Sequence, residues 1–310
     1  MTDTHGASSP RPGGALRFPG GRLSHHNWTA LAALAAGHRG DVQLTTGGGT
    51  RIVGADHGPV AVAARDLAAA GLPSRISHPR GRDIIASPLA GRLDGRRELG
   101  DLPDRLSAAL VDRDETEALG EQILFGIDDS SGDVLAHSPD LAVAIDGTDG
   151  SVHFHVAGRE VPYRAEVADA ATVLVDVAAR FASSAGPERV PRSGALHQLV
   201  VDALGSHPRT IPVSDATPGA TPVTAVVVPR VGWIDTADGL VSLLAVVPDG
   251  VVPARLAEFL GAVERPSTIS SDRVIGLHEL TEDMAEQVVR VLAPMGMIFD
   301  AESPWATGSA

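Results

Sequence analysis

A strand–helix–strand–helix order occurs twice in this chain, once toward each end, and the duplication restricts the available folds more than any single motif does. The first copy runs through ALRF, PGGRL, a helix over HHNWTALAALAAG, the strand DVQL, a glycine-rich interruption, IVG and a helix over PVAVAARDLAAAGL. The second runs through GLVSLLAVVPDG, VPARLAEFLGAV, DRVIGLHEL and TEDMAEQVVRVLAPMGM. Pro19-Gly20-Gly21 corresponds to Pro248-Asp249-Gly250 and Gly71-Leu72 to Gly296-Met297, so the copies are of similar length. A unit of this size cannot bury its sheet face alone, and the two are predicted to pair into one pseudo-symmetric α+β layer. Pro59 stands where a first helical turn tolerates proline, and Gly71 where a helix closes on glycine. Thr281, followed by Glu282 and Asp283, starts the last helix with a hydroxyl cap and acid against the dipole.

Composition then removes whole classes of function. The 310 residues give room for about two cores. They contain no cysteine, which excludes a disulfide framework, a thiolate nucleophile, a cysteine-held zinc and an iron–sulfur cluster ligated by this chain alone. The 25 basic residues are all arginine, and the formal net charge of −14 with 3% aromatics argues against nucleic acid or anionic lipid as a partner. No apolar run approaches the ~18 residues of a membrane span, and MTDTHGASSPRPGG lacks the regions of a signal peptide. A cytoplasmic protein is expected. No G-x-S-x-G, H-E-x-x-H or Walker sequence occurs, and His25-His26 beside Asn27 reads as a polar helix start rather than a base.

Between the copies, ILFGIDDSSGDVL, DLAVAIDG and SVHFHVAG read as strands joined by Ser-Gly and Asp-Gly hairpin turns. Helices follow over AEVADAATVLVDVAARFAS and GALHQLVVDALG, then a Pro- and Thr-rich linker, SHPRTIPVSDATPGATP. His153 and His155 share a strand face, which without a third ligand favours a solvated face over a metal site. Ahead of these strands, Arg75, Arg80, Arg82, Arg92, Arg96 and Arg97 stand against only Asp83 and Asp94. That island suits a polyanionic small molecule, because guanidinium groups grip carboxylates and phosphates bidentately; a solvated basic loop is the other reading.

The stretch from Thr45 to Arg51, TTGGGTR, breaks the first copy between two strand segments. A phosphate-binding loop requires a helix N-terminus directly after the glycines and usually a lysine, and neither is present. A turn or bulge is the expectation.

The order of LRFPGGRL, Arg82-Asp83 with SPLAG after it, ILFGIDDSSGDV and FDAESPWA resembles the precorrin-3B synthase family of the nitrite and sulfite reductase superfamily, from about residue 14 to the end. The resemblance implies an α+β fold of two ferredoxin-like half-domains and one nitrite/sulfite reductase-type α/β module. The expected division is a 1–13 disordered tail, half-domain 14–74, module 75–205, linker 206–222, half-domain 223–300 and tail 301–310. It implies an oxidoreductase lineage in cobalamin biosynthesis whose members hold a [4Fe-4S] cluster on four cysteines, with siroheme added in the true reductases. It also implies a tetrapyrrole polycarboxylate as ligand, with Arg82 matching the family's basic set and Arg80, Arg92, Arg96 and Arg97 as helpers. The departures are specific. Gly47 stands where the family's arginine grips a tetrapyrrole carboxylate, Gly49 where its asparagine lies, and Glu121 where a basic pair is usual. Arg51 has the right charge but is displaced by about 13 Å along a strand. Relatives continue past SPWxxxxA into a C-x5-C pair, and this sequence stops at Ala310. No cofactor is expected in this chain. Two functional expectations follow: a precorrin-3B synthase-like protein that is inactive alone and completed by a homodimer or a partner chain, or a non-catalytic tetrapyrrole- or polycarboxylate-binding or assembly protein.

Overall fold

The computed structural model describes residues 14–146, 150–185, 188–213 and 231–307. In chain order the elements are β1 (Arg22–Leu23), α1 (His25–Gly37), β2 (Asp41–Leu44), β3 (Thr50–Val53), α2 (Ala64–Ala69), β4 (Asp83–Ala86), α3 (Leu102–Asp112), β5 (Leu124–Asp128), β6 (Leu141–Ile145), β7 (Ser151–Val156), β8 (Arg159–Glu166), α4 (Val167–Ala185), α5 (Ala195–Gly205) and β9 (Ile211–Pro212). There follow β10 (Gly232–Asp235), β11 (Val241–Ala245), β12 (Val251–Val252), α6 (Ala254–Ala262), β13 (Ser267–Ile269), β14 (Ile275–Leu280), α7 (Glu282–Leu292) and α8 (Pro304–Thr307). Among the described residues they form a mixed α+β fold with three sheets, ordered β1-β13-β14-β11-β10, β12-β2-β3 and β4-β5-β6-β7-β8-β9.

The two ends of the chain are interlocked rather than merely adjacent. In β1, Arg22 pairs with Thr268 and Leu23 with Ser267, so a strand from the N-terminal segment extends a hairpin of the C-terminal one. In β12, Val251 pairs with Gln43 and Val252 with Val42, the reverse exchange. One apolar core draws on both, from Leu16 to Ile76 and from Val241 to Met297. Trp28 is wholly buried in it, and its indole N–H donates to Ser267 Oγ at 2.7 Å, which in turn donates to the Leu23 carbonyl. Helices α1 and α6 cross at Gly261, where an added Cβ would lie 2.5 Å from Thr29 Oγ1 and 3.0 Å from the Thr29 backbone nitrogen. Helix α1 begins on a reciprocal cap, Ser24 Oγ accepting from Asn27 N and Asn27 Oδ1 from Ser24 N. Thr281 caps α7 as its sequence predicts, its Oγ1 accepting from Met284 N.

A second core lies within the six-stranded sheet and its helices, from Ile84 to Leu204. Helix α4 supplies a fully buried stripe, Ala170, Val173, Leu174, Val177, Ala178 and Phe181, at helical three- and four-residue spacing. A small third cluster covers the other face of the five-stranded sheet, where Leu89, Val231, Leu244, Val246 and Ala306 meet.

Three local expectations are corrected. Pro59 is not in a helix: it bridges to Val53 and the chain stays extended until α2 begins at Ala64. The apolar run around it satisfies strand β3 instead, since Val60 N donates to the Ile52 carbonyl. The Ser-Gly segment does not close a hairpin, because β5 and β6 are parallel, as are β4 and β5. Segment 206–222 contributes Ile211–Pro212 as an edge strand beside β8. Residues 214–222 of that linker, the 1–13 tail and residues 147–149 of the Asp-Gly segment fall outside the described residues.

Candidate functional site

The glycine-rich interruption is the tip of the β2–β3 hairpin. Thr45 N donates to the Gly49 carbonyl, Gly49 N to Thr45 Oγ1, and Gly48 takes a positive φ of 71°. Gly47 at this tip faces the start of β4, where an added Cβ would be 2.3 Å from the Asp83 carboxylate. Asp83 is itself held by Arg17, whose Nε donates to Oδ1 at 2.9 Å. The position that the resemblance gives to a carboxylate-gripping arginine is therefore filled by an aspartate, paired inside the protein. Arg51, four residues on, is half-buried on β3 opposite Gln43, and its Nε has no hydrogen-bond partner.

Arg82 is nearly fully buried, with 3% exposure. Its guanidinium donates to the carbonyls of Pro79, Gly81, Thr116 and Leu119, which ties the entry of β4 to the turn after α3. It acts as a strut among backbone carbonyls. The remaining arginines of the island do not converge. Arg80 pairs with Asp114, Arg92 with Glu279 on β14 at 3.2 Å, and Arg96 with Asp129 and Asp133. Arg97 is exposed. The basic loop reads as clustered in sequence because its acidic partners are distant in sequence.

The C-terminal ends of parallel strands β4 and β5, where ligands commonly sit in open α/β sheets, carry a knot of polar groups. Ser87 Oγ donates to Asp133 and accepts from Asp129 N. Asp128, fully buried, accepts from the backbone N–H groups of Gly132, Val134 and Leu135. Burial, reinforced by the charges of Asp133 and Asp129, pushes the Asp128 carboxyl up to about 6. Asp128, Asp129 and Asp133 approach within 4.8 Å of one another, and the Arg96 guanidinium is set against two of them. The SPLAG and IDDSSGD motifs thus meet here to fix one loop on another.

Sequence reasoning missed a third locality. His278 on β14 is fully buried, with Nε2 2.8 Å from Thr268 Oγ1 and Nδ1 2.9 Å from Ser242 Oγ. A register shift between Val241 and Leu243, with Glu279 at a positive φ of 59°, marks a bulge that turns these polar side chains toward one another. Burial, then the nearby charge of Arg92, hold the imidazole well below its ordinary value, so it is neutral. Thr268 and His278 border a cleft of about 400 Å³ that Arg22, Arg92 and Arg265 also line. The only signal in the sequence is the polar residue inside the apolar run IGLHEL. His153 lies between Asp146 and Glu160, at 3.3 and 3.2 Å. His155 is buried, and burial lowers it to about 4.

No protein-family model matches the chain, and no curated protein does. The fold is similar to that of the Mycobacterium tuberculosis NirA protein, with a TM-score of 0.68 at 13% sequence identity, over 92% of this chain and 57% of that one. The likeness is one of fold, the nitrite/sulfite reductase-like arrangement, and this chain spans somewhat more than half the length of that structure. Among the described residues no helix is long and apolar enough to cross a membrane.

Proposed function

We propose that this chain is a non-catalytic binding or assembly protein built on the nitrite/sulfite reductase-like fold, with a polycarboxylated small molecule as ligand. The observation that carries the reading is the Asp83 carboxylate lying against Gly47 and paired with Arg17. A tetrapyrrole carboxylate brought to that seat meets negative charge and an occupied guanidinium, so the seat no longer suits its family ligand. Nor do the residues present fit an iron–sulfur cluster, since these 310 residues offer no thiolate. The all-arginine basic set, with Arg97 exposed at the loop edge, supports a carboxylate-bearing ligand elsewhere on the surface. The reciprocal strand exchange of β1 and β12 supports reading residues 14–74 and 223–300 as two ferredoxin-like half-domains about a pseudo-twofold axis.

A second reading, a precorrin-3B synthase-like polypeptide completed by a homodimer or a cysteine-bearing partner, rests on the order of motifs in the sequence, and the fold likeness to a longer protein is compatible with it. Iron and labile-sulfide analysis of the protein isolated anaerobically together with any bound partner chain, and titration of the chain itself with uroporphyrin, separate the two. The binding-protein reading expects no stoichiometric cluster, and uroporphyrin binding that weakens steeply with salt. A cluster bound in stoichiometric amount, or no uroporphyrin binding at low salt, removes it.

A further inference from the structure

The cleft above His278 has features that neither the family seat nor the arginine loop explains. It lies between strands β1, β13 and β14 and the start of α3, on the side of the molecule where Arg22 pairs with Asp104. Its lining contributes three arginines and the two carboxylates Asp104 and Glu264, in a chain of formal net charge −14. The three arginines are not equally engaged. Arg22 is held by Asp104 and the Gly100 carbonyl, and Arg92 makes one ion pair with Glu279. Arg265 has no carboxylate partner among the described residues: its Nη2 reaches only the sulfur of Met284, at 3.4 Å, and its buried Nε has no partner at all. A half-buried guanidinium left with a thioether is an unusual economy, because charged donors in partly dry surroundings are normally matched by an oxygen.

We propose that this cleft is a binding site for the oxyanion of a small molecule, a phosphate or a carboxylate, with Arg265 as its principal cation, Arg92 as its second, and the Thr268 hydroxyl as a neutral donor from the floor. The relay beneath the floor supplies that donor. A neutral imidazole carries one N–H and one lone pair, so with hydroxyls at both ring nitrogens one must donate and the other accept. When Ser242 donates to Nδ1, Nε2–H donates to Thr268 Oγ1 and the Thr268 proton is left free for a ligand. The opposite tautomer turns that proton inward. An oxyanion in the cleft selects the first arrangement, and it needs no charged group on the floor.

The site stands on its own geometry, apart from the Gly47 seat, and its probes differ from uroporphyrin, so its failure and the failure of the reading above are told apart. The test is isothermal titration of the full chain at low ionic strength with inorganic phosphate and, separately, with succinate. One saturable site for either probe is expected, and the probe that binds identifies the oxyanion. Arg265→Gln should weaken binding at least tenfold and Thr268→Val several-fold, while Arg159→Gln, exposed on β8 and outside the cleft, should leave it unchanged. On the unaltered protein, the bound probe should slow phenylglyoxal modification of Arg265, read by mass spectrometry, which keeps the test decisive if a variant misfolds. Absence of saturable binding by both probes, binding unaffected by Arg265→Gln, or Arg265 modified equally fast with and without probe would overturn the proposal.

Discussion

Arg82 illustrates how little a residue's type says about its task. In the sequence it belongs to a basic island and, by resemblance, matches a ligand-gripping position; in the fold its two terminal nitrogens donate to four backbone carbonyls. Four carbonyls, two in the turn before β4 and two in the turn after α3, lose their donor if it is truncated. Arg82→Ala is therefore expected to lower the stability of the fold by about 3–5 kcal/mol, the range for breaking a buried charged network. Arg82→Lys should restore little, since an ammonium cannot span the same carbonyls with a planar fork. Urea unfolding of the two variants checks this, and a loss below 1 kcal/mol in Arg82→Ala would return the residue to the surface role its sequence neighbours suggest. Asp83 shows the complementary case: it is unremarkable in the sequence, yet its carboxylate decides what can approach the hairpin tip at Gly47.

At the scale of elements, the α1–α6 crossing holds the two ends of the chain together. Helix α1 is apolar almost all round, with Trp28, Leu31, Leu34 and Ala35 buried, so its sequence marks it as interior without marking its neighbour. Gly261 sets the crossing distance, because an added methyl meets the Thr29 backbone nitrogen at 3.0 Å and the His25 carbonyl at 3.2 Å, neither of which a side-chain rotation relieves. Gly261→Ala gains helix propensity of about 1 kcal/mol but forces the helices apart, and overpacking of this kind costs about 1–3 kcal/mol. The net expectation is a destabilised protein, measured as a lower thermal midpoint. A raised midpoint would mean that the crossing is free to relax. The capped start of α7 was legible from Thr281 and the polar start of α1 from His25-His26 beside Asn27, since helix starts are contacts within a few residues. The late start of α2 was not, because the pull on residues 59–63 comes from strand β3.

Across the whole molecule, pH acts through buried groups of opposite sense. His155 and His278 are held neutral by burial, His155 down to about 4. Their stabilisation is full above the unfolded value near 6.5 and is lost as pH falls toward the folded value. Asp128 is raised to about 6, so its cost is full above that pH and is relieved as pH falls toward its unfolded value of 3.8. Between about pH 6.5 and 4 the two effects oppose, and removing one exposes the other. His155→Leu is expected to make stability fall less steeply from pH 6.5 to 4.5, by on the order of 2–3 kcal/mol across the window. Urea midpoints measured at pH 6.5, 5.5 and 4.5 test this, and parallel profiles for the two proteins would contradict it.

The sequence alone determined the mixed α+β character, most of the helices and the hydroxyl cap of α7, because these are carried by periodicity and by contacts between near neighbours. Tertiary structure alone decided the parallel pairing of β5 with β6, the partners of Arg80, Arg92 and Arg96, the filling of the Gly47 seat by Asp83, and the meeting of Ser242, Thr268 and His278. The physical reason is the same in each case. A side chain's charge and hydrogen-bonding capacity are fixed by its type, but which group satisfies them is set by residues tens to hundreds of positions away, brought close only when the cores close around them.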